Sequence, residues 1–313
     1  YVENNKISHG GKIPEKVLES LLGDENRIAK LQDFISLPAQ HATNRFALES
    51  LLEPNSVQTN SNDPQSFQIR TELFNLATNG QLKILDYGAG KGRLISNIVD
   101  IDENNSVKLI EKIDYIAFDK FPNDDLNCKN ALSKAYGNSD NRYFNDMNQL
   151  LTYHHNGTFD VVIMCNVLHE IAPKEWLNLF KADGKITKLL KVNGILLLVE
   201  DQLLPIGEKA YQNGFLVLDT PQLKELFKIT VNDTGFLPND ADGKGRLKAH
   251  LIPKNCLAKI DESSILKAIQ AVRDLSIEKI KELRASKSSY EKGKLHGFWT
   301  QQLANATLIL NEL

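Results

Sequence analysis

The chain has 313 residues, which is enough for one large α/β domain with additions or for two modest domains. Hydrophobic residues make up 42% and charged residues 25%, and the formal net charge of -3 argues against a surface that coats nucleic acid. The longest apolar runs are too short to cross a bilayer, and three isolated cysteines disfavour a disulfide framework and a zinc site. We therefore expect a globular cytoplasmic protein with neither a membrane span nor a bound metal.

Residues 1–79 are predicted to form a helical N-terminal region that acts as a lid or takes part in substrate recognition. Apolar residues recur at helical spacing along much of this region. The stretch 53–64 is polar and turn-rich, which predicts a loop or linker. The last helix of the region is predicted around Ile69, Leu73 and Leu76.

From residue 80 onward, short β-branched or aliphatic runs alternate with helix-sized intervals. This alternation predicts βαβ crossovers and a mostly parallel sheet that is buried on both faces. Thr220 is predicted to cap a short helix, and the runs 228–231 and 247–252 predict an antiparallel pair at the sheet edge. The parallel strands are predicted at residues 82–85, 115–118, 142–144, 159–165 and 195–199.

The central domain is therefore expected over residues 80–253, followed by a C-terminal helical extension over residues 254–313. Residues 244–294 contain 13 lysines and arginines but only 6 aspartates and glutamates. We interpret this excess mainly as a solvated helix face, with contact to RNA or to a protein as the alternative.

The loop after the first predicted strand carries the strongest chemical signal. Gly88, Gly90 and Gly92 remove side chains where the backbone turns from strand to helix, so that a ligand can approach closely. A dinucleotide-binding loop has the pattern Gly-x-Gly-x-x-Gly, but Arg93 stands at its third glycine position. Asp86, at the end of the strand, would repel a pyrophosphate and could receive a cationic group. Both residues disfavour a nucleotide-binding oxidoreductase.

Residues 83–94 resemble motif I of the class I S-adenosylmethionine-dependent methyltransferases, and the resemblance extends over about residues 80–253. It implies a Rossmann-like α/β fold with a seven-stranded, mostly parallel sheet and a C-terminal antiparallel hairpin. It also implies that the cofactor is S-adenosylmethionine and that the loop binds it through Asp86, Gly88, Ala89, Gly90 and Gly92.

The same resemblance assigns further cofactor contacts to residues that follow the later strands. Asp119 stands where the family binds the two ribose hydroxyls, a task that suits a carboxylate because its two oxygens accept from both. Its neighbour Lys120 is more polar than the adenine-packing residue usual at that position. Asp146 and Met147 would contact the adenine, and Asn166 would contact the cofactor near its methyl or amino-acid end.

Candidate catalytic residues follow the fourth and fifth strands, because ligands bind at the carboxyl ends of the strands in an open α/β sheet. They are His169 and Glu170 after the fourth strand, and Glu200 and Asp201 after the fifth. Methyl transfer from a sulfonium depends mainly on alignment and exclusion of water, and only some acceptors need a general base. His169 is equally consistent with a structural residue that hydrogen-bonds a neighbouring loop.

Two other segments bear on the methyl acceptor. No Pro-Pro-Tyr or Pro-Pro-Phe follows Asn166, which counts against methylation of adenine N6 or of a glutamine amide. Residues 203–219 are predicted to form part of the acceptor wall or to pack over the sheet edge. His154 and His155 precede the fourth strand and are interpreted as surface residues.

The sequence thus predicts an S-adenosylmethionine-dependent methyltransferase whose acceptor is RNA, a protein or a small molecule. The alternative is a catalytically inactive module that binds the cofactor and regulates a larger assembly. A nucleotide-binding oxidoreductase is the third and least favoured interpretation, because its loop pattern is broken at Arg93.

Overall fold

The computed structural model divides into two compact units, one of residues 1–57 with 204–209 and one of residues 58–203 with 210–313. It describes residues 2–3, 6–7, 63–78, 80–121, 125–203, 216–240, 243, 245–287 and 289–312.

The described residues of the first unit form a short antiparallel strand pair, Val2–Glu3 with Lys6–Ile7. Helix was predicted there, and the strand pair corrects that prediction. The β-branched residues Val2 and Ile7 face each other in the pair, as their strand propensity favours. The helices predicted between this pair and residue 58 lie outside the described residues.

The second unit is built on a seven-stranded sheet. The strands lie in the order β3-β2-β1-β4-β5-β7-β6, in which β1 to β5 pair in parallel and β7 runs antiparallel to both of its neighbours. This is a Rossmann-like fold with the mostly parallel sheet and the terminal antiparallel hairpin that the sequence predicted. The strands are β1 (Leu82–Tyr87), β2 (Ile113–Phe118), β3 (Tyr143–Phe144), β4 (Phe159–Cys165), β5 (Leu190–Asp201), β6 (Leu237–Asp240) and β7 (Leu247–Pro253).

Helices cover both faces of the sheet. Side chains alternate between the faces along each strand, so Leu196 and Leu198 enter one hydrophobic core while Leu197 and Val199 enter the other. The helices are α1 (Pro64–Leu76), α2 (Arg93–Glu103), α3 (Asp125–Tyr136), α4 (Met147–Tyr153), α5 (Pro173–Phe180), α6 (Lys185–Leu189), α7 (Thr220–Leu226), α8 (Lys254–Leu257), α9 (Glu262–Ala285) and α10 (Tyr290–Glu312).

The helices outside the predicted central domain share its cores. Ile69 and Leu73 of α1 pack in the core that contains α2 and α3. Ile269 of α9 and Ile309 of α10 pack in the opposite core, together with Trp176 of α5. None of the helices in the described ranges combines the length and the apolar character that a membrane span requires.

Two local predictions at the sheet edge are wrong. Residues 228–231 are not a strand, because the Thr230 backbone N–H and hydroxyl donate to Asp233 at 2.7 and 2.9 Å and fold this segment into a turn. The edge strand is β6 instead. Helix α7 is capped by Asp219 and not by Thr220, since the Asp219 carboxylate accepts from the Thr220 N–H at 2.6 Å and belongs to a capping box.

The interpretation of His154 as a surface residue is also wrong. Its side chain packs between Phe144 and Phe159, with ring centroids 5.5 Å away in both cases. This burial lowers the pKa of the imidazole. His154 therefore belongs to the core beside β3 and β4.

Candidate functional site

The strand order creates a crevice at the carboxyl edge of the sheet. From β1 the chain continues to β2 and β3 on one side of the sheet and then crosses to β4 and β5 on the other. Ligands bind at such a switch point in open α/β sheets. Asp86 lies near the end of β1, while Asp119 and Asn166 directly follow β2 and β4.

The loop after β1 is a tight turn whose three glycines have positive φ angles. These angles are +89° at Gly88, +51° at Gly90 and +76° at Gly92, which is the left-handed N-cap of α2. The N–H groups of Gly88 and Ala89 donate to the Phe118 carbonyl at 2.8 and 3.1 Å. The loop is thereby anchored to the end of the neighbouring strand β2.

The glycines serve different purposes. A Cβ atom on Gly88 would lie 2.5 Å from a methyl carbon of Val167, and one on Gly92 would lie 2.8 Å from the Cα atom of Cys128. Internal packing therefore excludes side chains at both positions. A Cβ atom on Gly90 would meet no heavy atom of the described residues within 4 Å. Among the described residues, nothing fills the space beside Gly90, and a ligand can approach the backbone there.

The Asp119 carboxylate faces the loop from the end of β2. One of its oxygens accepts from the Gly90 N–H at 2.7 Å, and the other accepts from the Phe121 N–H at 2.8 Å. An ionised carboxylate offers about four acceptor positions, so both oxygens retain capacity for a ligand. The carboxylate is held in place by the loop and can still bind a diol.

Asp86 is buried beneath the loop and accepts a hydrogen bond from the Tyr115 hydroxyl. Burial raises the pKa of Asp86 to about 6, and the nearby Asp119 charge adds to the rise, whereas the Tyr115 hydrogen bond and the Arg93 charge oppose it. A carboxyl with this pKa changes charge near neutral pH. A cation bound next to it would favour its ionised form.

The residues predicted to contact adenine gather at the ends of β2 and β3. Asp146 caps α4 by accepting from the Asn148 N–H at 2.9 Å, and Met147 is partly buried against the core. Lys120 is exposed, and its ammonium lies 5.9 Å from the centroid of the Phe121 ring. Phe121 is 52% exposed and offers an apolar face at the rim.

Helix α1 contributes a residue that the sequence did not suggest. The side-chain amides of Gln65 and Asn166 form two hydrogen bonds, at 2.9 and 2.7 Å. The Asn166 Oδ1 atom also accepts from the Asp201 N–H at 3.0 Å, while Arg93 donates to Gln65 at 3.1 Å and pairs with Asp63 at 3.1 Å. The start of α1 therefore closes the crevice beside β4.

Asn166 occupies a strained backbone conformation within this network. Its φ angle is +56°, which is uncommon for a residue with a side chain, although asparagine tolerates it better than most. The Gln65 and Asp201 hydrogen bonds hold the amide where this turn presents it. Such conformations cluster at functional sites.

Among the candidate bases, His169 and Glu200 form a buried pair. The His169 Nδ1 atom lies 2.5 Å from a Glu200 carboxylate oxygen, and the other oxygen accepts from the Leu168 N–H at 2.9 Å. Only 3% of His169 and 2% of Glu200 is exposed. A carboxylate in this position fixes the orientation of the imidazole.

The other two candidates are placed differently. Glu170 is exposed in the turn that follows β4. Asp201 forms a bidentate ion pair with Arg246, with distances of 3.1 Å to one carboxylate oxygen and 2.9 Å to the other. This geometry makes Asp201 an anchor for the end of β5.

Basic residues of the segment 244–294 are engaged within the fold. Lys248 pairs with Asp219 at 2.7 Å, and Lys259 pairs with Asp233 at 2.5 Å. These pairs offset part of the positive charge counted in the sequence. The arrangement offers no support for an RNA or protein contact through this segment.

Comparison with known proteins finds structural similarity without sequence relatives. No protein-family model matches the chain, and no curated protein matches it. The CurJ carbon methyltransferase shares 16% identity over 78% of this chain and 72% of its own, with a TM-score of 0.43. The DszA carbon methyltransferase shares 15% identity over 74% and 70%, also with a TM-score of 0.43.

A third similar structure is magnesium protoporphyrin IX methyltransferase (ChlM) from Synechocystis PCC 6803 with bound S-adenosylmethionine. It shares 15% identity over 72% of this chain and 95% of its own, with a TM-score of 0.38. The strand order and the strand directions define the fold.

Proposed function

We propose that this chain is an S-adenosylmethionine-dependent methyltransferase. The observation that carries the proposal is the arrangement at the switch point of the sheet. Gly90 meets no described side chain there and donates to the Asp119 carboxylate at 2.7 Å, while the second carboxylate, Asp86, lies buried near the end of β1. Two carboxylates would repel a pyrophosphate but favour a nucleoside that carries a positive charge.

The side chains at this edge of the sheet suit the separate chemical groups of S-adenosylmethionine. Asp119 has free acceptor capacity for the ribose hydroxyls, and Asp86 supplies a buried negative charge for the cationic end. Met147 and Phe121 offer apolar surface for the adenine, and Asp146 offers an acceptor for its amino group. When bound, S-adenosylmethionine supplies a methyl group on a sulfonium, which is a good leaving group.

The residues of the chain would then align the acceptor and exclude water. Alignment alone can contribute about 7–11 kcal/mol to the lowering of a barrier. Asn166, held by Gln65 from α1, would contact the methyl or amino-acid end of the cofactor. For acceptors that must lose a proton, His169 is the base, and Glu200 would stabilise its protonated form.

Calorimetry with three ligands tests the proposal. We expect S-adenosylmethionine and S-adenosylhomocysteine to bind and NAD not to bind. Asp119→Asn should weaken binding of the first two because one acceptor for the ribose is lost, whereas the exposed Asp140→Asn should leave binding unchanged. Binding of NAD alone would refute the assignment. Release of S-adenosylhomocysteine with candidate acceptors would separate an active enzyme from an inactive binding module.

The pH dependence of binding tests the role of Asp86. Because the pKa of Asp86 is about 6, this carboxyl is mostly protonated at pH 5 and mostly ionised at pH 7. A cationic ligand favours the ionised form, so affinity should rise with pH and be about tenfold stronger at pH 7 than at pH 5. Asp86→Asn should flatten this profile between the two pH values. An unchanged slope in that variant would show that another group is responsible.

A further inference from the structure

A cavity of about 220 Å³ opens beside the end of β5, in the second unit of the chain. Its walls come from the residues after β5, from the segment that leads into α7, and from helices α9 and α10. Most of the lining is apolar, contributed by Val217, Val272, Leu275, Leu295, Phe298 and Trp299.

One polar side chain in the wall is buried without a partner. Gln202 is only 9% exposed, and its amide nitrogen finds no hydrogen-bond partner among the described parts of the chain. Its backbone is fixed, since the Gln202 N–H donates to the Arg246 carbonyl at 2.7 Å. A buried donor of this kind is unfavourable until an acceptor reaches it. A ligand oxygen in the cavity would satisfy it.

The charged group in the described lining is already paired. Both carboxylate oxygens of Asp219 accept from the Lys248 ammonium, at 2.8 and 2.7 Å. The lining formed by the described residues therefore offers no unpaired positive charge to a phosphate or carboxylate. Its lining suits an uncharged ligand with a large apolar surface.

The volume of the cavity indicates the size of the group that it can take up. An apolar cavity of about 150 Å³ is known to hold benzene. The present volume of about 220 Å³ accordingly suits a molecule of one or two rings. The aromatic side chains of Phe298 and Trp299, whose centroids are 5.0 Å apart, offer ring faces and edges to such a molecule.

Neighbouring residues of the chain connect the cavity with the candidate methyl-transfer site. Gln202 directly follows Asp201, whose N–H donates to the Asn166 side chain at 3.0 Å. Gln202 is thus one residue along the chain from a group that contacts Asn166, which is predicted to lie at the methyl or amino-acid end of the cofactor.

We infer that this cavity binds the methyl acceptor and that the acceptor is an uncharged one- or two-ring molecule with a carbonyl or hydroxyl oxygen. That oxygen accepts from the Gln202 amide, and the rings pack against the side chains of α9 and α10. The inference rests on the proposed function, which supplies the methyl donor beside the cavity.

Binding of two simple probes tests the inference. In calorimetry with the full chain saturated with S-adenosylhomocysteine, acetophenone should bind at least fivefold more tightly than ethylbenzene, which has the same ring but no oxygen. Gln202→Leu should abolish this preference while retaining ethylbenzene binding. Equal affinities of the two probes for the unmodified chain would overturn the role of Gln202.

Filling the cavity gives an independent test. Leu275→Trp places an indole in the lining and should abolish binding of both probes, whereas Gln270→Trp adds the same group to the exposed face of α9 and should change nothing. Melting temperatures establish whether each variant is folded. If Leu275→Trp does not fold, Gln202→Leu still tests the inference.

The outcomes distinguish this inference from the proposed function. If S-adenosylhomocysteine binds but neither probe does, the acceptor assignment is wrong and the methyltransferase proposal stands. If S-adenosylhomocysteine itself does not bind, the proposed function fails, and the assignment of the cavity to a methyl acceptor fails with it.

Discussion

Gly90→Arg should reduce binding of S-adenosylmethionine by about 100-fold or more, equivalent to about 2.7 kcal/mol, while the chain remains folded. The reason is that the Gly90 Cα atom faces open space, so an arginine side chain would enter the volume assigned to the ligand. Its φ of +51° is a left-handed conformation that costs a residue with a side chain about 1–2 kcal/mol. Calorimetry and thermal unfolding of the same preparation measure both effects.

Gly92→Ala is the matched control, for which we expect the main effect on the stability of the fold. Its added Cβ atom would lie 2.8 Å from the Cα atom of Cys128 in α3, which cannot move as a flexible side chain would. We expect a loss of about 2–5 kcal/mol in the free energy of unfolding, from overpacking together with the positive φ. If Gly90→Arg unfolds the chain and Gly92→Ala does not, the two glycines have been assigned the wrong roles.

The second large effect concerns the attachment of α1. The Arg70 guanidinium of α1 lies 2.5 Å from the Asp102 carboxylate of α2, and these side chains are only 8% and 3% exposed. The other carboxylate oxygen of Asp102 accepts from the Ile110 N–H at 2.8 Å. Arg70→Met would leave a buried carboxylate without its counter-charge, and we expect a cost of about 3–5 kcal/mol in the free energy of unfolding.

A double variant separates loss of charge pairing from loss of packing. Adding Asp102→Asn to Arg70→Met should recover part of the lost stability, because the asparagine keeps an acceptor for the Ile110 N–H without a buried charge. Lys279→Met, which breaks an exposed pair with Glu282, should change stability by no more than about 1 kcal/mol. Equal losses from the Arg70 and Lys279 variants in urea unfolding would contradict this account.

The Arg70 variant also has a consequence for the site. Helix α1 carries Gln65, whose amide holds Asn166 in place. A loosened α1 should therefore weaken binding of S-adenosylmethionine in molecules that are still folded. Calorimetry below the unfolding transition measures this coupling.

Predictions from sequence succeeded where the signal lies in a contiguous segment. The segments that form β1, β2, β4 and β5 are rich in aliphatic and β-branched residues. For each of these strands, at least one end of the predicted range lies within a few residues of the observed end. Prediction failed at residues 228–231, where hydrogen bonds between Thr230 and Asp233 outweigh strand propensity.

The sequence by itself determined that the sheet is mostly parallel and that a glycine-rich loop from Asp86 to Gly92 follows its first strand. Neighbouring residues in the chain specify this loop, and the ends of parallel strands necessarily meet at one edge. Nothing in the residue pattern showed which glycine faces a ligand. That depends on the positions of Val167 and Cys128, which approach the loop from other segments.

Only the tertiary structure decided how the rest of the site is built. Gln65 meets Asn166 across 101 positions of the chain, and the cavity joins Gln202 to side chains near residue 299. In the sequence, Leu295 and Trp299 are apolar residues at helical spacing, which mark a buried face without indicating what it packs against. Whether such a face fills a core or lines a cavity depends on how closely the surrounding elements pack.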